Sequence, residues 1–97
     1  MVLHTINAGP DSAALEDCLR FITGKDAIIL TGDGVYCALV NSRACTALMQ
    51  SGVEIYALDV DVQASGIATR LSTQVKLVGF DGFVALTEQF PRQLAWF

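Results

Sequence analysis

The 97 residues are 53% hydrophobic and only 16% charged, with six basic against ten acidic side chains and a formal net charge of -4. That length makes one domain, residues 1–97. The scattered Lys and Arg exclude a direct nucleic-acid surface, which needs clustered positive charge, and no apolar run approaches the roughly 20 residues of a membrane-spanning helix.

A small domain has much surface to cover with polar groups. The shortage of them here points to surface covered by partners. Met1-Val2-Leu3-His4 has neither the basic start nor the apolar core of a signal peptide, so a cytoplasmic location is expected.

Val2 to Ile6 reads as a first strand, broken by Asn7-Ala8-Gly9-Pro10. Asp11 or Ser12 can cap the helix that follows. In that helix Leu15, Cys18, Leu19 and Ile22 fall at i, i+3, i+4 and i+7, one apolar face, with Gly24 as a stop. Ala27-Ile28-Ile29-Leu30 is continuously apolar, the pattern of a parallel strand covered on both faces.

Thr31 to Gly34 reads as a tight turn and Val35 to Val40 as a short helix or coil. Asn41 or Ser42 can cap a helix running to about Gln50 and ended by Gly52. Glu54 to Leu58 is a third strand. Asp59 to Gly66 is a short helix or turn with acids at its start, where the helix dipole favours them. Val75 to Val78 is a fourth strand and Phe83 to Phe90 a last helix, after which Pro91 breaks the pattern. The alternation predicts an α/β fold, a single domain with a mostly parallel four- to five-stranded sheet flanked by helices.

Ligands of open α/β sheets bind at the C-terminal ends of the strands. Asn7 to Pro10, Thr31 to Gly34 and Asp59 to Asp61 fall there. Gly32-Asp33-Gly34 is followed by no Gly-Lys-Ser/Thr and is not GxGxxG, so a structural turn is favoured over a phosphate cradle. The single histidine, His4, lies inside a strand with no nucleophile motif around any serine. It reads as a core or interface residue held by a hydrogen bond.

The cysteines are Cys18, Cys37 and Cys45, an odd number without a CxxC pair. Free thiols are expected, with no disulfide framework, no metal site and no cofactor. Local physics makes Cys18 a buried thiol on an apolar stripe. Cys37, near a possible helix N-terminus, is the better placed for a lowered pKa.

Several short segments occur in order: Leu3-His4-Thr5, Asp33-Gly34-Val35-Tyr36, Tyr56-Ala57-Leu58 followed by Asp61 and Gly66, Asp81-Gly82-Phe83-Val84, and Gln93-Leu94-Ala95-Trp96. Through them the chain resembles the DsrH/TusB family, small subunits of DsrEFH and TusBCD sulfur-relay complexes. The resemblance implies a heterohexamer with DsrE/TusD-like and DsrF/TusC-like subunits. Persulfide sulfur then passes from a TusA-like donor to a cysteine on the DsrE/TusD-type chain, and on to a DsrC/TusE-like acceptor.

Leu15-Glu16-Asp17-Cys18-Leu19 looks like the first-helix cysteine segment of the DsrH branch. The expectation is therefore a subunit serving dissimilatory sulfur oxidation, with Cys18 as candidate sulfur acceptor. The alternatives are a TusB-like subunit of the relay for 2-thiouridine formation in tRNA, and a purely architectural subunit. A ligand-binding domain using Gly32-Asp33-Gly34 is the reading the residues support least.

Overall fold

A computed structural model describes residues 1–97. Five strands, β1 (Val2–Ile6), β2 (Ala27–Leu30), β3 (Glu54–Leu58), β4 (Lys76–Val78) and β5 (Arg92–Trp96), form one sheet. Its order is β4-β3-β2-β1-β5, and every neighbouring pair is parallel. The helices are α1 (Ala14–Phe21), α2 (Arg43–Gln50), α3 (Asp59–Ser65) and α4 (Phe80–Gln89), with 3-10 turns at Gly32–Ala38 and Ala68–Arg70.

Topology decides which face each helix covers. From β1 to β4 the chain steps one strand at a time in one direction, so crossovers of one hand place their helices on one face. The step from β4 to β5 returns past the whole sheet, and its helix, α4, lands on the other face. The core divides accordingly. Fourteen buried residues, among them Ile6, Leu15, Cys18, Ile28, Leu30, Leu48 and Val62, fill the first side. Only five, Leu3, Ala27, Ile29, Leu86 and Phe90, fill the α4 side. One helix cannot cover five strands, so that face is thinly covered.

The four strands expected from the sequence are present, and Ala27–Leu30 is buried along its whole length. Ser42 caps α2, its side chain accepting from the Cys45 N–H. Gly66 ends α3 in the left-handed conformation, φ 69°. Some boundaries differ, and β4 begins at Lys76, one residue after the expected Val75. The N-cap of α1 is Ala13, with Ser12 Oγ accepting from the Ala14 N–H at 3.3 Å, and the helix stops at Phe21, short of Gly24. Helix α4 begins at Phe80 rather than Phe83, because Gly82 lets its first turn lie against Val78. The C-terminal segment is a fifth strand paired with β1.

Candidate functional site

The three loops at the C-terminal ends of the strands do meet. Thr31 Oγ1 donates to Asn7 Oδ1 at 3.2 Å, and the Gly32 N–H donates to Asp61 Oδ2 at 2.7 Å. Gly32 has φ 51°, and a Cβ there would lie 2.4 Å from Asn7 Oδ1. The crevice is thus filled from within. The Gly32 N–H, which an anion cradle would need, already serves the Asp61 carboxylate. The motif Gly32-Asp33-Gly34 packs closely on Asn7 and Ile6, which is what a structural turn requires.

All three thiols are buried: Cys18 and Cys37 are 0% exposed and Cys45 5%. None is in a disulfide. Burial, reinforced by the nearby Asp26 carboxylate, pushes the Cys18 thiol up to about 12. Burial, with Cys45 adding to it, pushes Cys37 up to about 11. A thiol raised so far stays protonated at neutral pH. Both thiols are therefore protonated and shielded from solvent in this chain. Cys37 sits in the 3-10 turn with its side chain in the core, and the expected advantage of a helix N-terminus is outweighed by desolvation. Cys18 is held on the apolar stripe of α1, facing the sheet.

We expect Cys18 and Cys37 to react with an alkylating reagent at least about a hundredfold more slowly in the native protein than in urea. Timed labelling read by mass spectrometry checks this. Native rates close to the urea rates would show that one thiol reaches solvent.

His4 forms a network no single sequence segment displays. It is 1% exposed on β1, a strand paired on both sides. His4 Nε2 lies 2.9 Å from Asp26 Oδ2, and Trp96 Nε1 donates to His4 Nδ1 at 3.1 Å. Asp26, buried just before β2, also accepts from the Val2 N–H at 2.9 Å, the Thr23 N–H at 3.1 Å and Thr23 Oγ1 at 3.2 Å. Burial alone would push this carboxyl up. The bonds from His4, Thr23 and Val2 together outweigh it and hold the group at about 2. The sequence reading expects His4 to be held by a hydrogen bond but names neither partner; Asp26 and Trp96 emerge only from the fold.

Large apolar side chains remain outside. On α4, Phe80 is 64% and Val84 54% exposed, one turn apart on the side away from the sheet, and Leu77 of the neighbouring β4 edge is 46% exposed. At the other edge Phe21 lies against Trp96, ring centroids 5.5 Å apart, with Leu94 and Phe97 also exposed. The surface predicted from composition to need covering is therefore concentrated at the sheet edges and on α4. An open groove of about 490 Å³ runs between α1 and α2, lined by Leu15, Leu19, Ala44 and Ala47, with Ser12, Ser42 and Arg43 among its polar residues. No helix is long and apolar enough to cross a membrane.

The architecture is shared with solved structures. The ychN protein from E. coli superposes with a TM-score of 0.81 at 17% identity, covering 97% of both chains. Protein Tm0979 from Thermotoga maritima gives 0.70 at 26% identity, covering 92% of this chain and 93% of that one. The fold they share with this chain is that of a small parallel α/β domain. A family model described as DsrH like protein matches residues 10–93. Protein TusB of Pectobacterium atrosepticum is 41% identical over 95 residues, 98% of this chain and 100% of that one. Protein TusB of Sodalis glossinidius is 35% identical with the same coverage. The chain belongs to the DsrH/TusB family.

Proposed function

We propose that the chain is the TusB-type subunit of a TusBCD-like sulfur relay serving 2-thiouridine formation in tRNA, and that it carries no sulfur itself. The full-length similarity to proteins named TusB, 41% identity in the first of them, is the observation that carries this reading. It favours tRNA thiolation over dissimilatory sulfur oxidation. The sulfur-oxidation reading rested on Cys18, and a thiol with no exposed surface supports packing rather than transfer.

In this reading the persulfide resides on a TusD-type partner, which receives it from a TusA-like donor and hands it to a TusE-like acceptor. The exposed Phe80, Val84 and Leu77 support contact with TusC- and TusD-type chains, because large apolar side chains grouped on a surface mark protein interfaces.

The test is restoration of thiolated tRNA in cells lacking a TusB-type subunit, by co-expressing this chain with its TusC- and TusD-type partners. Thiolation is read by retardation of tRNA on mercury-containing gels. Restoration is expected, and the Cys18→Ala chain should restore at least about half as much. No restoration while the three chains co-purify would refute the tRNA reading. Loss of thiolation in Cys18→Ala with the complex intact would make Cys18 a sulfur carrier.

A further inference from the structure

The hydrogen-bond roles around His4 are fully assigned. The Asp26 carboxylate, held low by its partners, can only accept, so His4 Nε2 carries a hydrogen. The indole of Trp96 can only donate, so Nδ1 is a bare lone pair. His4 is therefore the neutral Nε2–H tautomer, and the one place a second proton can bind is the atom Trp96 occupies.

We propose that the His4–Trp96 contact is an acid-released latch on β5, opened when His4 takes up a proton at Nδ1. The step is a single protonation. A solvent proton adds to the Nδ1 lone pair, the Trp96 N–H loses its acceptor, and two N–H groups then face each other across about 3 Å. One of them must move, and the surroundings decide which. The imidazolium keeps its partner, since Asp26 remains a carboxylate against Nε2 and the pair is buried. Trp96 is half-buried on an edge strand, where Arg92 to Ala95 are all exposed and the ring lies against the exposed Phe21. Its indole packs against the rim of the core at this edge, so its outward swing uncovers that rim and leaves the centre of the sheet closed.

The other groups around His4 do not compete for the proton. Cys18 on α1 stays a neutral thiol throughout the relevant range. Asp17 and Arg20 of α1 pair with each other at the surface, and Arg92 of β5 is exposed. Release would free Leu94 and Trp96 beside Phe21 and loosen one edge of the sheet, making this edge's surface depend on pH.

Trp96 is the only tryptophan and His4 the only histidine, so each reports alone. The experiment follows the imidazole nitrogens of His4 and the indole N–H of Trp96 by nitrogen-15 NMR in the full chain. The pH is lowered from about 8 to about 5, the span over which imidazoles change charge. The expected starting state is the Nε2–H tautomer. As Nδ1 gains its proton, the indole N–H should shift toward its solvent-exposed position with the same midpoint. In Trp96→Phe, which keeps an aromatic ring but removes the donor, the His4 midpoint should move to higher pH.

Three outcomes would overturn the proposal: an Nδ1–H tautomer at pH 8, an indole signal unchanged while the imidazole gains its proton, or an imidazole that stays neutral until the chain unfolds.

Discussion

Gly34→Ala is expected to cost at least about 3 kcal/mol of folding stability, the upper part of the range for forcing a methyl into a filled site. Gly34 is buried in the 3-10 turn, and a Cβ there would lie 2.1 Å from the Ile6 carbonyl oxygen and 2.9 Å from its carbon. Both atoms are backbone at the end of β1, a strand paired on both sides, so no side chain can rotate away. The same carbonyl accepts from the Thr31 N–H at 3.0 Å. Any shift that admits the methyl therefore disturbs the join between β1 and β2.

Small domains have about 5–15 kcal/mol in total, so the variant should unfold at much lower urea and could fail to accumulate. Gly24→Ala is the control, because nothing lies within 4 Å of its added Cβ and its φ is ordinary. It should stay within about 0.5 kcal/mol of the parent. Equal urea midpoints for Gly34→Ala and Gly24→Ala would show that the turn yields easily and that the close approach constrains nothing.

Gly34 also shows what a sequence carries and what it hides. The motif Asp33-Gly34-Val35-Tyr36 was visible as a motif, but its reason is a contact with Ile6, 28 positions earlier. Elements with strong local signals were legible: the apolar run Ala27–Leu30, the stripe Leu15-Cys18-Leu19, and the Ser42 cap. Strand β5 was not. It pairs on one side only, so Arg92-Gln93-Leu94-Ala95 shows neither a buried run nor a clean alternation, and Pro91 just before it reads as a breaker. The early start of α4 was masked by Gly79 and Gly82, which look like loop residues until Val78 is seen against the helix.

The thiols divide similarly. Burial of Cys18 followed from its place on the apolar face. Burial of Cys37 required knowing that the turn after β2 folds inward. Asp26 gave no signal at all. In Gly24-Lys25-Asp26 it resembles any turn acid, and its value lies in partners at positions 2, 4 and 23.

Those partners make Asp26 the second position where a large effect is expected. Asp26→Ala removes the acceptor for His4 Nε2–H, for the Val2 and Thr23 N–H groups and for Thr23 Oγ1, in a site 6% exposed. Buried donors left without an acceptor cost about 1–3 kcal/mol each where water cannot reach them. We therefore expect a total loss of at least about 3 kcal/mol, read by urea denaturation at neutral pH.

The acid behaviour gives an independent reading. The carboxyl titrates at about 2 in the folded chain against 3.8 unfolded. A folded pKa below the unfolded one means the unfolded chain binds the proton more readily. The stabilisation is thus complete above about pH 4 and is lost as the pH falls toward 2, a change of about 2 kcal/mol. Asp26→Asn keeps the shape and one acceptor oxygen but has no proton to exchange. Its stability should be lower at pH 7 and should fall less steeply than the parent's between about pH 4 and pH 2. If parent and Asp26→Asn lose stability in parallel over that interval, another carboxyl carries the acid sensitivity, and the bonds from His4, Thr23 and Val2 do not hold Asp26 ionised.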